Sequence, residues 1–331
     1  MVGGSALPGG VMMRTRNRVG VAVRREDDGA IVTEGFELEP STARWTRLPL
    51  MRGVVAIHTA LRIGQRAMAI GERLRWEEPA PAGSRNGSAA ADDEAEREGL
   101  GVWGKVAVGV GGLLGAGIQI AAFRIGPVVI AKEAGLTGAA FIIADAAIRL
   151  ALLLGMLKFL SFFRPFRKIL KYHGAEHQAI AAHEAGSPLT AAAAAGFTRF
   201  HPRCGTSFLV VSAVVSIAVY GAVLAITGVF TYPALIATRL IGAPIVTAIA
   251  FELQRQAARL SDTRWRFLSW PGMWAQRLTT APPDREELEV ACAALTVALE
   301  EPEGATTRTR VGAAGPAAEA IQPVVDPQPT V

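Results

Sequence analysis

Four apolar runs, at residues 102 to 131, 138 to 163, 206 to 230 and 233 to 253, constrain this chain more than any other feature. Each is long enough, at about 1.5 Å per helical residue, to cross a hydrocarbon core of about 30 Å. A backbone in hydrocarbon has no water to bond, so runs of this length predict helices that satisfy their own N–H and C=O groups. Half of the 331 residues are hydrophobic and the mean hydropathy is +0.30, more apolar than a soluble domain needs to be. The expected class is a mainly α, four-span helical membrane protein inserted through these internal runs, because no basic-then-apolar leader with a small-residue cleavage site opens the chain.

Charge orients the spans. Arg164, Arg167, Lys168, Lys171, Arg199 and Arg203 fill the loop between the second and third runs, whereas the loop between the first two offers only Lys132 beside Glu133. The positive-inside rule then puts residues 164 to 205 in the cytoplasm of a cell inner or plasma membrane, and four crossings put both termini there too. Arg14, Arg16 and Arg18, with Arg255, Arg259, Arg264 and Arg266 after the last run, agree with that placement. Within the runs, Asp145 and Arg149 at i,i+4 spacing read as a structural ion pair or as part of a transport path.

The flanks read as follows. Residues 1 to 47 are extended, with a β-hairpin in which Val19, Val21 and Val23 alternate, Asp27-Asp28-Gly29 turns, and Ile31 to Phe36 return. Residues 48 to 76 form a basic amphipathic helix, suited either to a membrane surface or to packing on its own domain. Residues 77 to 100, rich in Pro, Ala, Ser and acidic side chains, predict a disordered linker, and residues 301 to 331 a disordered tail. Between them, residues 101 to 300 hold the membrane domain and end in a cytoplasmic helix. That helix opens on the capping box Asp284 to Glu287 and carries an apolar face of Leu288, Cys292, Leu295 and Leu299.

The polar loop carries the chemistry. Four of the five histidines lie between His173 and His201, and His173-Gly174-Ala175-Glu176-His177 is a His-x-x-Glu-His string. On a helix, His173 and His177 share one face about 6 Å apart along the axis, within reach of one ion, and Glu176 flanks them as a candidate general base. Catalytic zinc takes three protein ligands plus water, so a third must come from elsewhere. His201 and Cys204, just before the third run, are the candidates; Cys204 reads equally as a small buried thiol beside a helix cap made by Thr206 or Ser207. Glu184 lies about 10 Å along the helix from His177, too far to share the ion, and reads with Arg203 and Glu252 as a supporting group; Glu252 is otherwise a boundary charge. Net charge is +5 without a basic, aromatic-interleaved surface, and the two cysteines form no framework, so nucleic-acid binding and a disulfide scaffold are excluded.

The strings Gly10-Val11-Met12-Met13-Arg14, Arg52-Gly53-Val54, Tyr172 to His177, Arg199 to Phe208 and Pro271 to Thr280 resemble, in order and spacing, the YqhQ-like family of bacterial polytopic membrane proteins. That family has a domain of unknown function and is described as predicted metal-dependent enzymes, so the resemblance implies a metal site on the same residues. The chain departs from the pattern at Ser5 and Gly9, where the family carries Gln and Glu, and at Gln178, where it carries Lys.

Together these readings predict a divalent metal, zinc, held by His173, His177 and His201 or Cys204, with Glu176 taking a proton from water. The expected activity is hydrolysis, of metalloprotease type on a protein or peptide, at the cytoplasmic membrane face. The competing expectation is a noncatalytic scaffold, assembly factor or metal-responsive regulator in which the same cluster only fixes the loop. Local geometry separates them, since an open coordination position suits an enzyme.

Overall fold

The structure, a computed structural model, describes residues 2–38, 51–76, 102–202, 204–259, 270–300 and 308–311. The expected linker and Arg203 lie outside the described residues.

The N-terminal region is a larger sheet than the one hairpin expected. Strands β1 (Gly3–Leu7), β2 (Gly10–Arg14), β3 (Arg18–Arg24) and β4 (Ile31–Glu37) form an antiparallel meander, and β5 (Arg308–Val311) adds to β4. The hairpin is β3–β4, with Val21 opposite Glu34 and Val23 opposite Val32. The first strand escaped notice because Gly3, Gly4 and Ser5 carry no apolar alternation. Its turn at Pro8-Gly9 places Gly9 at φ 77°, the left-handed region. Part of the stretch read as a tail is strand β5, a correction: the edge of β4 offers unpaired backbone groups that accept a partner of almost any composition.

Alternation sorts the sheet residues onto two covered faces. Leu7, Met12, Val19, Val21, Val23 and Phe36 meet Ile63, Ala67, Ile70 and Leu74 of α1 (Met51–Trp76). Of the two readings of this helix, packing on its own domain is the one these residues make, and Arg73 Nη2 donates to both oxygens of Glu34 at 2.7 and 2.8 Å. Val11, Met13, Ala22 and Ile31 face the other way, toward α5 (Arg164–Glu184) and α11 (Arg285–Leu299). Gly20 permits that contact, since a Cβ there would lie 2.3 Å from the Ala294 carbonyl oxygen. The capping box of α11 forms, Asp284 N donating to Glu287 at 2.8 Å.

The apolar runs become α2 (Val102–Ile120), a π-helical turn at Ala121–Ile125, α3 (Gly126–Glu133), α4 (Gly138–Leu160) and α7 (Gly205–Thr227), followed by α8 (Tyr232–Ile241) and α9 (Ala243–Arg259). Among the described residues three helices are long and apolar enough to cross a membrane, or up to four if the bent pair α8–α9 is one span. That pair bends by 45° at Gly242, where a Cβ would sit 2.9 Å from the Tyr220 ring. Leu113, Ile118, Val214 and Ile226 are exposed on these helices, as suits surroundings of lipid. Inside the bundle Asp145 pairs with Arg149, as the spacing predicts, and also with Arg239 of α8, which is 1% exposed.

Candidate metal centre

Helix α5 lies between sheet and bundle with its small and apolar residues, among them Ala175, Ala179 and Ile180, buried toward β1, β2 and α11. The same turns carry His173 and His177 side by side, ring centroids 4.5 Å apart. Gly174 between them lets the loop after α10 (Trp270–Thr279) press against the helix: its Cβ would lie 2.3 Å from Ala281 O. Ala281 N in turn donates to Leu170 O at 2.9 Å.

This close approach sets the histidine tautomers. His173 Nδ1 donates to Thr279 O at 2.7 Å, and His177 Nδ1 donates to Arg199 O at 2.6 Å. With each Nδ1 proton held by a carbonyl, each Nε2 is left with its lone pair, the form in which imidazole ligates a metal. Cys204 Sγ stands 3.3 Å from His173 Nε2. One donor atom from each of His173, His177 and Cys204 lies within 4.8 Å of the others. Ligand atoms around a tetrahedral zinc are about 3.3 to 3.8 Å apart, so rotamer adjustments of about an ångström bring the set to bonding distance. Among the described residues this is the group whose donors converge in that way.

The other expected residues fall as follows. His201 lies next to the triad, its ring centroid 5.8 Å from that of His177, but its Nε2 faces Glu184 at 3.5 Å. The glutamate therefore supports His201, across the bend of the loop, rather than His177 along the helix. Glu252 pairs with Arg52 of α1. Cys204 is itself the N-cap of α7, its sulfur accepting from Thr206 N at 3.4 Å, where Thr206 or Ser207 was expected to cap.

Glu176 packs into the gap that Gly4 of β1 leaves open. A Cβ on Gly4 would sit 2.9 Å from both Cγ and Cδ of the glutamate. Burial pushes its carboxyl up to about 7, with the neighbouring His173 acting in the opposite direction, and its Oε2 is buried with no hydrogen-bond partner among the described residues. A buried oxygen of that kind calls for a water, an ion or a substrate group.

Two residues outside the expected set hold the centre together. Gln276 of α10, fully buried, clamps the peptide group of His201, accepting from its N at 2.8 Å and donating to its O at 2.7 Å. Gly272 one turn earlier brings α10 onto α7, with its Cβ position 2.2 Å from Ser207 Oγ. Both lie in the string Pro271 to Thr280, so their presence was legible while their partners were not.

The model of a protein family of unknown function, DUF1385, matches residues 48–301. The uncharacterized protein YqhQ of Bacillus subtilis (strain 168) is 30% identical over 300 residues, covering 87% of this chain and 89% of that protein. No solved structure matches the chain. With the family model spanning most of the sequence, and the relative most of both chains, this protein belongs to the DUF1385, YqhQ-like family.

Proposed function

We propose that this protein is a metal-dependent hydrolase of a bacterial inner or plasma membrane, four-spanned, with its site and both termini on the cytoplasmic side. His173, His177 and Cys204 would hold a divalent ion, zinc by the mixture of imidazole and thiolate, leaving one position for water or substrate. A bound zinc ion supplies Lewis acidity, which polarises a carbonyl and makes water acidic. The chain supplies the rest: Thr279 O and Arg199 O orient the two imidazoles, Cys204 adds a negative ligand, and Glu176 receives a proton at its unpartnered Oε2. A peptide bond is the substrate type that the His-x-x-Glu-His order suggests.

The observation that carries the reading is the convergence of the triad from two separate segments. Zinc content of the purified protein tests it: Cys204→Ser should lower bound zinc well below one per chain, while His201→Ala, whose ring faces Glu184, should keep it. If His201→Ala loses the metal and Cys204→Ser retains it, the ligand set is wrong. The scaffold reading draws on the burial of the site, with His177 only 2% exposed. Glu176→Gln separates the two: in a hydrolase it abolishes activity in a cellular complementation assay while zinc stays bound, whereas in a scaffold it leaves function intact.

A further inference from the structure

The first apolar run contains a fault that its own sequence creates. In an α-helix the N–H of residue 127 would bond the carbonyl of residue 123, but Pro127 has no N–H to give. The chain answers with a π-helical turn in which Gly126 N donates to Ala121 O, and the Phe123 carbonyl loses the partner that residue 127 would supply in an α-helix. In lipid such a group must be satisfied, and Arg149 Nε of α4 donates to it at 3.1 Å. Arg149 Nη2 is spent on both oxygens of Asp145, 3.0 Å from each. Among the described residues its Nη1 has no hydrogen-bond partner.

Charge around this turn does not balance. The carboxylate of Asp145 is shared by Arg149 and by Arg239, whose Nη2 lies 2.8 Å away. Tyr220 and Phe141 lend their ring faces to Arg239, at 4.5 and 5.6 Å, which softens but does not cancel the excess. Arg124 on the π-helical turn adds a third guanidinium. Of these groups Arg124, Arg149 and Phe123 border a cavity of about 420 Å³, within the range of small-ligand sites, lined by α2, the π-helical turn, α4, α7 and α9. Its polar side is Gln119, Arg124, Arg149 and Ser212, and the Ser212 hydroxyl is buried with no partner among the described residues. One and two turns beyond Arg149 on the same face of α4, Leu153 and Met156 continue the lining as an apolar strip.

We infer that this cavity binds an amphiphilic anion, a carboxylate or phosphate head on an apolar chain, drawn from the surrounding lipid. The head meets Arg124, Arg149 Nη1 and the Ser212 hydroxyl, supplying the negative charge that the cluster lacks. The chain lies along Leu153 and Met156. Ser212 is about 12 Å along α7 from Cys204, so this site is separate from the metal centre and does not rest on the metal reading.

Retention of radiolabelled oleate, 1-oleoyl lysophosphatidate and uncharged monoolein by the purified full-length protein in dodecyl maltoside tests the inference. Oleate or lysophosphatidate should bind at least about tenfold more tightly than monoolein, and the stronger of the two identifies a carboxylate or a phosphate head. Arg124→Gln should remove that preference and leave monoolein unchanged; Ser212→Phe, which fills the cavity, should weaken all three. The double variant His173→Ala, His177→Ala should bind as the wild type does, which keeps this result apart from the fate of the metal site. Monoolein held as tightly as both anions overturns the inference, as does an Arg124→Gln protein with unaltered selectivity. Should Arg124→Gln not fold, the wild-type comparison decides alone.

Discussion

Gly174→Ala is the sharpest perturbation of the candidate metal centre that touches none of the proposed ligands. In an exposed helix interior the change would stabilise by about 1 kcal/mol, because Ala has the better helix propensity. Here the new Cβ would lie 2.3 Å from Ala281 O and 3.3 Å from Pro283 Cδ, so the loop after α10 must retreat by roughly 1 Å to reach van der Waals contact. A retreat of that size stretches two bonds beyond useful length: Ala281 N to Leu170 O, now 2.9 Å, and His173 Nδ1 to Thr279 O, now 2.7 Å. Two hydrogen bonds at about 1 kcal/mol each, with an overpacking cost of about 1 to 3 kcal/mol, outweigh the propensity gain. The net effect is a destabilisation of about 2 to 4 kcal/mol. Loss of the carbonyl that orients His173 should also weaken zinc binding about 10- to 100-fold. Thermal melts in detergent and zinc competition against a chromophoric chelator measure the two effects. Gly64→Ala is the control, because nothing lies within 4 Å of that position on α1 and the ordinary propensity gain should appear. A Gly174→Ala protein that melts at or above the wild-type temperature with wild-type zinc affinity would refute the close-approach argument.

Three further outcomes follow from the same geometry. Burial raises the Glu176 carboxyl from 4.5 to about 7, so folding is penalised above the unfolded value: stability falls as pH climbs from about 4.5 through 7. Glu176→Gln should therefore stabilise the metal-free protein by about 3 kcal/mol at pH 8 and by little at pH 4; equal gains at both pH values would contradict the assignment. Asp145→Asn leaves Arg239 buried without its carboxylate and should destabilise by about 3 to 5 kcal/mol in denaturation experiments, whereas a loss under about 1 kcal/mol would mean the cluster is wet. Single cysteines near Gly186 and near Gly135 should label from opposite sides of the membrane, and labelling of both from outside would reverse the proposed orientation.

What the sequence determines by itself is local. Run length and hydropathy specify helices able to cross a membrane, because hydrocarbon leaves the backbone no other partner. The i,i+4 spacing places His173 and His177 on one face, and Asp145 beside Arg149, because helix geometry is the same wherever it occurs. The box at Asp284 to Glu287 is likewise a bond within four residues. Tertiary structure alone decides which distant groups meet. Cys204 reaches the histidine pair while His201 turns to Glu184, because the seating of α10 on α7 at Gly272 and of the following loop on α5 at Gly174 fixes where those segments lie, and Glu252 goes to Arg52 where Gly53 of α1 meets Phe251 of α9. A glycine at a close approach leaves no period in the sequence. The carbonyls of Thr279 and Arg199 carry no side-chain signal either, yet they set which imidazole nitrogen faces the sulfur.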